Sequence, residues 1–488
     1  MRTQRWIMIV ATLVALPLAL VGCDEDPDPA DGGTDAGMAD AGDTTDGGEM
    51  TNTLLDIAAG NPDFSMLAAA ATRAGITGVL SAPGNTTVFA PNNDAFAATG
   101  ITMEAIEAME PTALQGILTY HAVSGQALMA SDLTDGPITM AAPFTAFIGT
   151  GDPVTINGGN AVAGGANVIM ADIVADNGVI HVIDRVLLPP TVADLARYGG
   201  LTDLVGALGD ASLVETLGGA GPFTVFAPTN AAFGMLAAVP TGDALSEILL
   251  YHVVGADVGS DAIPGNSPTL ATREYTMDAT TREVGLSLLF DTTSGVAING
   301  GTEGADAFGA TVAIADLAAT NGTVHVIDRV LVPMNIAQVA IAAGFTELVG
   351  AVSNSDDIPA ALLPGDDDVA VIDALSGDAL APLTVFAPTN EAFTTAFTGG
   401  TPAAGDALLP VLASHVVAMA LPVRAEDLPT DTTAEVPALT GPNLTFDASA
   451  PSVSLVGGNT ANIAAADIGA TNGIVHVIDA VLLESTGG

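Results

Sequence analysis

Asn177-Gly-Val-Ile-His181-Val-Ile-Asp184 is a stretch that the chain repeats twice more. It returns as Asn321-Gly-Thr-Val-His325-Val-Ile-Asp328 and as Asn472-Gly-Ile-Val-His476-Val-Ile-Asp479. A short apolar run bounded by a turn signal reads as a strand buried on both faces. Asn-Gly ahead of it predicts a tight hairpin turn with both turn residues at positive φ. The strand before the turn carries Ala171-Asp172-Ile173, Ala315-Asp316-Leu317 and Ala466-Asp467-Ile468. A penultimate and a closing strand are thereby placed three times.

Further upstream stand Tyr120-His121, Tyr251-His252 and Ser414-His415, which with the closing-strand histidines account for all six His. Each pair is reached along a second helix, and each is preceded by Thr-Val-Phe-Ala-Pro, beginning at Thr87, Thr224 and Thr384. This reads as a buried strand ended by proline. Asn92, Thr229 and Thr389 follow as helix N-cap signals, with Phe96, Phe233 and Phe393 as the first core anchors. An amphipathic helix is predicted to open each copy, at 64–70, 201–207 and 345–351. From there to Thr-Val-Phe-Ala-Pro the spacing is 23, 23 and 39 residues, so the third copy carries 16 extra residues within 354–382, expected as an exposed loop. The closing histidines recur after 144 and 151 residues. That is the size of a domain able to hold its own core, not of a solenoid unit.

These ordered motifs resemble the fasciclin (FAS1) domain family, in three tandem copies over about residues 53–485. The resemblance implies an α+β fold, each copy a wedge-like β-sandwich with packed helices. It also implies extracellular adhesion or matrix association, and no enzymatic activity. The expected organisation is a signal peptide at 1–22, a tether at 23–52, and copies at 53–190, 191–334 and 335–485, each folding alone. In animal members, the Tyr-His region and the Asp-Ile of the penultimate strand are linked to adhesion. The resemblance therefore makes Tyr120, His121, Tyr251, His252, His415, Asp172, Ile173, Asp316 and Leu317 a candidate contact surface. Ser414 breaks the motif in the third copy. His181, His325 and His476 are expected to be structural, hydrogen-bonded between helix and hairpin.

Catalysis and metal binding find no support in the residues. His181 and Asp184 are three apart on one strand, so their side chains leave opposite faces. Ser124 is matched by no serine in the other two copies. No compact His/Cys/Glu cluster has metal-ligand spacing, and no cofactor is expected.

The chain has nine Arg, no Lys and 56 acidic residues. Binding to nucleic acid requires clustered cations, which this chain lacks. Direct attraction to anionic lipid is excluded on the same ground. Such an excess of one sign favours solubility and self-repulsion, which a saline medium would screen.

Arg2 and Arg5 precede an apolar stretch at 6–20, which ends in Leu20-Val-Gly22-Cys23. This resembles a bacterial lipoprotein signal, with Cys23, the only cysteine, as the lipid-bearing residue after cleavage. Residues 24–52 hold ten acids and no base, a composition that extends and does not fold. The expected protein is a lipid-anchored component of the cell envelope, at the outer membrane or cell surface or in the periplasm. Its partners would be a cell-surface or matrix protein or a polysaccharide, with the membrane touched through the lipid anchor only. The rival readings are a binder of a small hydrophobic, carotenoid-like ligand and an envelope scaffold without a ligand.

Overall fold

The computed structural model describes residues 52–277, 280–300, 309–353, 375, 382–397, 408–419, 421–428, 435–439, 441–447 and 450–484. The signal stretch, Cys23, the tether up to residue 51 and most of the third-copy insertion lie outside the described residues.

Each copy opens one helix earlier than the apolar periodicity indicates, at Leu54–Gly60, Val192–Tyr198 and Ile336–Ala342. The signal for it is a capping box. Thr53 with Asp56, Thr191 with Asp194 and Asn335 with Gln338 each satisfy two backbone donors reciprocally. The predicted amphipathic helices follow at Ser65–Ala74, Thr202–Asp210 and Thr346–Ser353, burying Leu67, Leu204 and Leu348.

The Thr-Val-Phe-Ala-Pro runs form the central strands Thr86–Pro91, Phe223–Pro228 and Leu383–Pro388. After them Asn92, Thr229 and Thr389 cap the next helix, each accepting from the backbone N–H three residues on. The closing strands Gly178–Ile183, Gly322–Ile327 and Gly473–Ile478 run parallel to the central strands. On their other side they pair antiparallel with the penultimate strands Ala166–Ala175, Ala310–Ala319 and Thr460–Ala470. Alternation then divides the closing strand between two cores. In the first copy, Ile180 and Val182 join Leu67, Leu114 and Ile117 under the helices. Ile183 joins Phe89, Tyr120, Ile148 and Ile156 on the other face.

The Asn-Gly turn differs from its prediction. Ala175 faces Gly178 across the ladder, so the turn residues are Asp176 and Asn177, and neither has positive φ. The glycine is needed for closeness. A Cβ at Gly178, Gly322 or Gly473 would overlap the backbone carbonyl of Thr86, Phe223 or Leu383. The asparagine is a pin. Asn177 Oδ1 accepts from Leu54 N–H at 2.8 Å, and its Nδ2 donates to the carbonyls of Leu80 and Ala82, both at 2.9 Å. Asn321 repeats this with Val192, Leu217 and Gly219, and Asn472 bonds Ile336 and Leu375 in the same way.

The chain divides into two compact units, Met1–Pro190 and Thr191–Gly488. Within the second unit, one element joins the second and third copies. The second copy carries a hairpin of two 12-residue strands, Asn266–Met277 and Thr280–Asp291. Its first-copy counterpart, Gly136–Thr139 with Thr145–Gly149, has strands of 4 and 5 residues. Leu286 of the long hairpin pairs with Gly469 of the third copy. Gly469 N–H donates to Ser287 Oγ at 3.0 Å, and Tyr275 Oη donates to the Thr471 carbonyl at 3.1 Å. Arg282 forms an ion pair with Asp427 at 3.1 Å and also donates to the Pro422 carbonyl. A Cβ at Gly469 would overlap the Gly285 carbonyl. The first two copies have Val174 and Ala318 at that position.

This contact gives the second and third copies a shared strand pairing, so they are expected to melt together. Gly469→Val should split their joint calorimetric transition into two and leave the first copy's transition unmoved. Two separate transitions already present in the unaltered chain would contradict this.

Candidate functional site: a histidine network repeated three times

The second helix ends at Thr119, Tyr251 and Ser414. Just beyond, or at, that end sits the first histidine of each copy. His121 Nδ1 donates to the Ile117 carbonyl at 2.8 Å, and its Nε2 accepts from Leu187 N–H at 2.9 Å. The partners fix this tautomer, because a carbonyl can only accept and an amide N–H can only donate. His252 makes the same two bonds, with Ile248 and Leu331. His415 makes them with Val411 and Leu482. Each ring thus ties the helix end to the chain that leaves the closing strand. All three rings are at most 4% exposed. Burial pushes their pKa down to about 4, against a smaller opposing effect of the bond to the helix carbonyl.

The closing-strand histidine has the opposite tautomer. Asp172 N–H donates to His181 Nδ1 at 3.3 Å, and His181 Nε2 donates to the Leu128 carbonyl at 2.9 Å. His325 and His476 repeat this with Asp316 and Val258, and with Asp467 and Val423. Each of these rings stacks on the central-strand Phe, with centroids 5.6, 5.4 and 5.3 Å apart for Phe89, Phe226 and Phe386. These rings do not bond to a helix: each joins the penultimate strand to a loop carbonyl, that of Leu128, Val258 or Val423.

Asp172, Asp316 and Asp467 have φ of 63, 60 and 58°. Asp is among the few side chains that tolerate this left-handed backbone. Each sits within an irregular stretch of the strand ladder. One carboxylate oxygen accepts from the N–H of Ala130, Ser260 or Ala425, at 2.7, 2.8 and 2.8 Å. In the second copy the other oxygen of Asp316 is engaged as well, accepting from Ser260 Oγ at 2.5 Å, so each carboxylate is held in place by the same neighbouring segment.

The candidate contact residues separate into two sets. Tyr120, His121, Tyr251, His252 and His415 are interior, and their polar atoms are bonded within the protein. Leu317 is also buried. These six do not form a surface; they fill the core beneath one, because each ring or aliphatic chain is fixed by packing. Asp172 and Asp316 are exposed and Ile173 is half-buried. Ser414 has a structural explanation. Tyr120 Oη receives a hydrogen bond from Asn157 Nδ2 and donates to the Thr145 carbonyl. Tyr251 does the same with Asn299 and Ser287. In the third copy, Ser414 replaces the Tyr and Val456 the Asn, so both partners are lost together.

As a catalytic arrangement the network is closed. Both nitrogens of His181 and of His121 are engaged by backbone groups, so neither ring is free to take a proton from a substrate. His181 lies 3.9 Å from Asp172 across the ladder. Asp184 instead bonds Asn160 and Asn167. Among the described residues, no group of three or more His, Cys, Asp or Glu could hold a metal ion. No helix among them is long and apolar enough to cross a membrane.

Two small apolar cavities lie between the helices and the central strand. One, of about 50 Å³, is lined by Leu348, Val352, Val385, Leu412 and Val475 in the third copy. The other, of about 40 Å³, is lined by Leu67, Val88, Leu118 and Ile180 in the first. An engineered apolar cavity of roughly 150 Å³ binds benzene; both of these are well below that volume and far smaller than a long polyene.

The Fasciclin domain family model matches residues 62–189, 199–333 and 345–484. The chain belongs to this family. It is similar to protein sll1483 of Synechocystis, at 43% identity over 28% of this chain and 74% of that one. It is also similar to transforming growth factor-beta-induced protein ig-h3 of Sus scrofa, at 28% identity over 89% of this chain and 58% of the relative. Human periostin matches at 29% identity over 55% of this chain and 32% of its own length. The chain thus spans less than two thirds of the last two relatives.

Proposed function

We propose that this protein is a lipid-anchored adhesion or matrix-association protein of a bacterial cell envelope, acting through three fasciclin domains. The observation that carries the reading is the multiplicity itself. The same network is built three times, and each copy leaves the Asp of its penultimate strand exposed at the surface, at Asp172, Asp316 and Asp467. Weak contacts made by linked modules combine into avidity far above that of one module. The apolar stretch directs processing at Cys23, whose acyl chains supply the anchor, and the acidic tether holds the domains off the membrane. Two or more acyl chains suffice for stable anchoring. The closed histidine sites support a binding role over catalysis. The small size of both cavities weighs against a carrier of large hydrophobic ligands.

Cys23→Ser should move the protein from the membrane fraction to the soluble fraction, or leave its precursor uncut. Beads coated with residues 24–488 should adhere to isolated cell-envelope fragments. A Cys23→Ser protein processed and membrane-bound like the unaltered one would refute the anchor. Beads that fail to adhere would refute the adhesive role.

A further inference from the structure

Five Asn-Gly pairs occur in the chain, at Asn157, Asn177, Asn299, Asn321 and Asn472. The pair is chemically labile in a free chain. Glycine has no side chain, so its backbone nitrogen can come close to the preceding asparagine amide. In this fold every one of the five amides is bonded. Asn157 and Asn299 accept from Phe147 and Leu289 N–H and donate to the hydroxyls of Tyr120 and Tyr251. Asn177, Asn321 and Asn472 are the pins that tie each closing strand to the helices. Asn157, Asn177, Asn299 and Asn472 are at most 2% exposed, and Asn321 is half-buried.

Reaction requires the asparagine Cγ to swing onto the next backbone nitrogen. In the first copy that motion breaks the bonds to Leu54, Leu80 and Ala82 together. It also pulls Gly178 from its pairing with Thr86 on one side and Ala175 on the other. The fold therefore blocks the step, and an opened copy permits it. The products do not fit back. An aspartate at position 177 sets a carboxylate against the carbonyls of Leu80 and Ala82. An isoaspartate adds a methylene to the backbone just before Gly178, where even a Cβ would overlap the Thr86 carbonyl. Gly322 and Gly473 are as tightly seated, against Phe223 and Leu383. The other two asparagines matter less, since the third copy is built with Val456 in that place.

We infer that Asn177, Asn321 and Asn472 are sites of spontaneous covalent conversion, closed in the folded protein, which bar a copy from refolding once it has stayed open. The Gly178 nitrogen loses its proton to solvent base and attacks Asn177 Cγ. Nδ2 takes a proton from solvent and leaves as ammonia. The cyclic imide then adds water. Opening at Cγ gives aspartate, and opening at the backbone carbonyl gives isoaspartate. Asn321 and Asn472 react in the same way with Gly322 and Gly473.

The test holds the purified protein at mildly alkaline pH, folded or in concentrated urea, and maps its peptides by mass spectrometry. Conversion at the three pins should be slower in the folded protein by about a thousandfold or more, since a domain spends only about 10⁻³ of its time or less unfolded. After removal of the urea, size exclusion separates refolded from unfolded molecules. The refolded fraction should keep the amide at all three pins, and the two products should collect in the unfolded fraction. An equal stay in urea at mildly acidic pH, with too little base to take the glycine proton, should preserve refolding. Equal conversion in folded and unfolded protein would overturn the proposal. Refolded molecules that carry either product at position 177 and melt like the unaltered first copy would overturn it too, as would an equal loss of refolding at acidic pH.

Discussion

Acidification from about pH 7 to about pH 4.5 should lower both melting temperatures, that of the first copy and that of the joined second and third copies, by roughly 10 °C, before most carboxylates are protonated. The cause is His121, His252 and His415. In the unfolded chain each titrates near 6.5, whereas burial holds the folded ring's pKa at about 4. Between those values the unfolded chain binds a proton that the folded chain refuses, so stability rises with pH. The contribution is complete above the unfolded pKa and is lost as pH falls toward the folded one. The shift corresponds to about 3 kcal/mol per copy, a large part of a domain's stability of about 5–15 kcal/mol. His325 and His476, also pushed down by burial, act in the same direction. Protonation has a local cost, since Nε2 of His121 can no longer accept from Leu187 N–H. The check is calorimetry across the pH range, with uptake of about one proton per copy on unfolding near pH 5.5. A flat melting temperature down to pH 5 would show that the rings are solvated and the network loose.

Asn177→Ala should cost the first copy roughly 3–5 kcal/mol, through three groups left without their partner at about 1–3 kcal/mol each where water cannot reach. Asn177 is 2% exposed and holds one N–H and two carbonyls from two helical segments. Asn177→Asp should be worse than Ala, because it sets a second acceptor against the carbonyls of Leu80 and Ala82. Melts of the single variants would show the first copy's transition falling, with that of Thr191–Gly488 unchanged. An Asp variant as stable as the original would mean that the side chain is solvated and pins nothing.

The motifs that make the fold legible in sequence are those with a local cause. Periodicity reveals the helices around Leu67, Leu204 and Leu348, and the caps at Asn92, Thr229 and Thr389 mark the next ones. What the sequence hides is non-local. Asn-Gly looks like a hairpin signal, yet Asn177 serves a helix more than 120 positions earlier in the chain, and Gly178 serves an adjacent parallel strand. Spacing alone cannot show either. Two features were within reach. Thr53, Thr191 and Asn335 each stand three residues before Asp or Gln, a capping-box pattern that marks the leading helices. The two histidines of a copy stand 60, 73 and 61 residues apart, and the excess in the second copy is the long hairpin that reaches Gly469. The contact surface was legible only in part. Tyr-His is a recurrent pair, but its recurrence comes from bonds in the core. Asp172 and Asp316 recur for a different reason, a left-handed backbone position at the surface.

The account rests on three linked copies binding better than one. Dissociation from a surface bearing isolated envelope fragments measures this directly, comparing residues 24–488 with the first copy alone, 53–190. Multivalent engagement predicts release of the longer chain slower by about 10²-fold or more. Equal dissociation rates for the two, with binding that scales only with the number of copies, would contradict it.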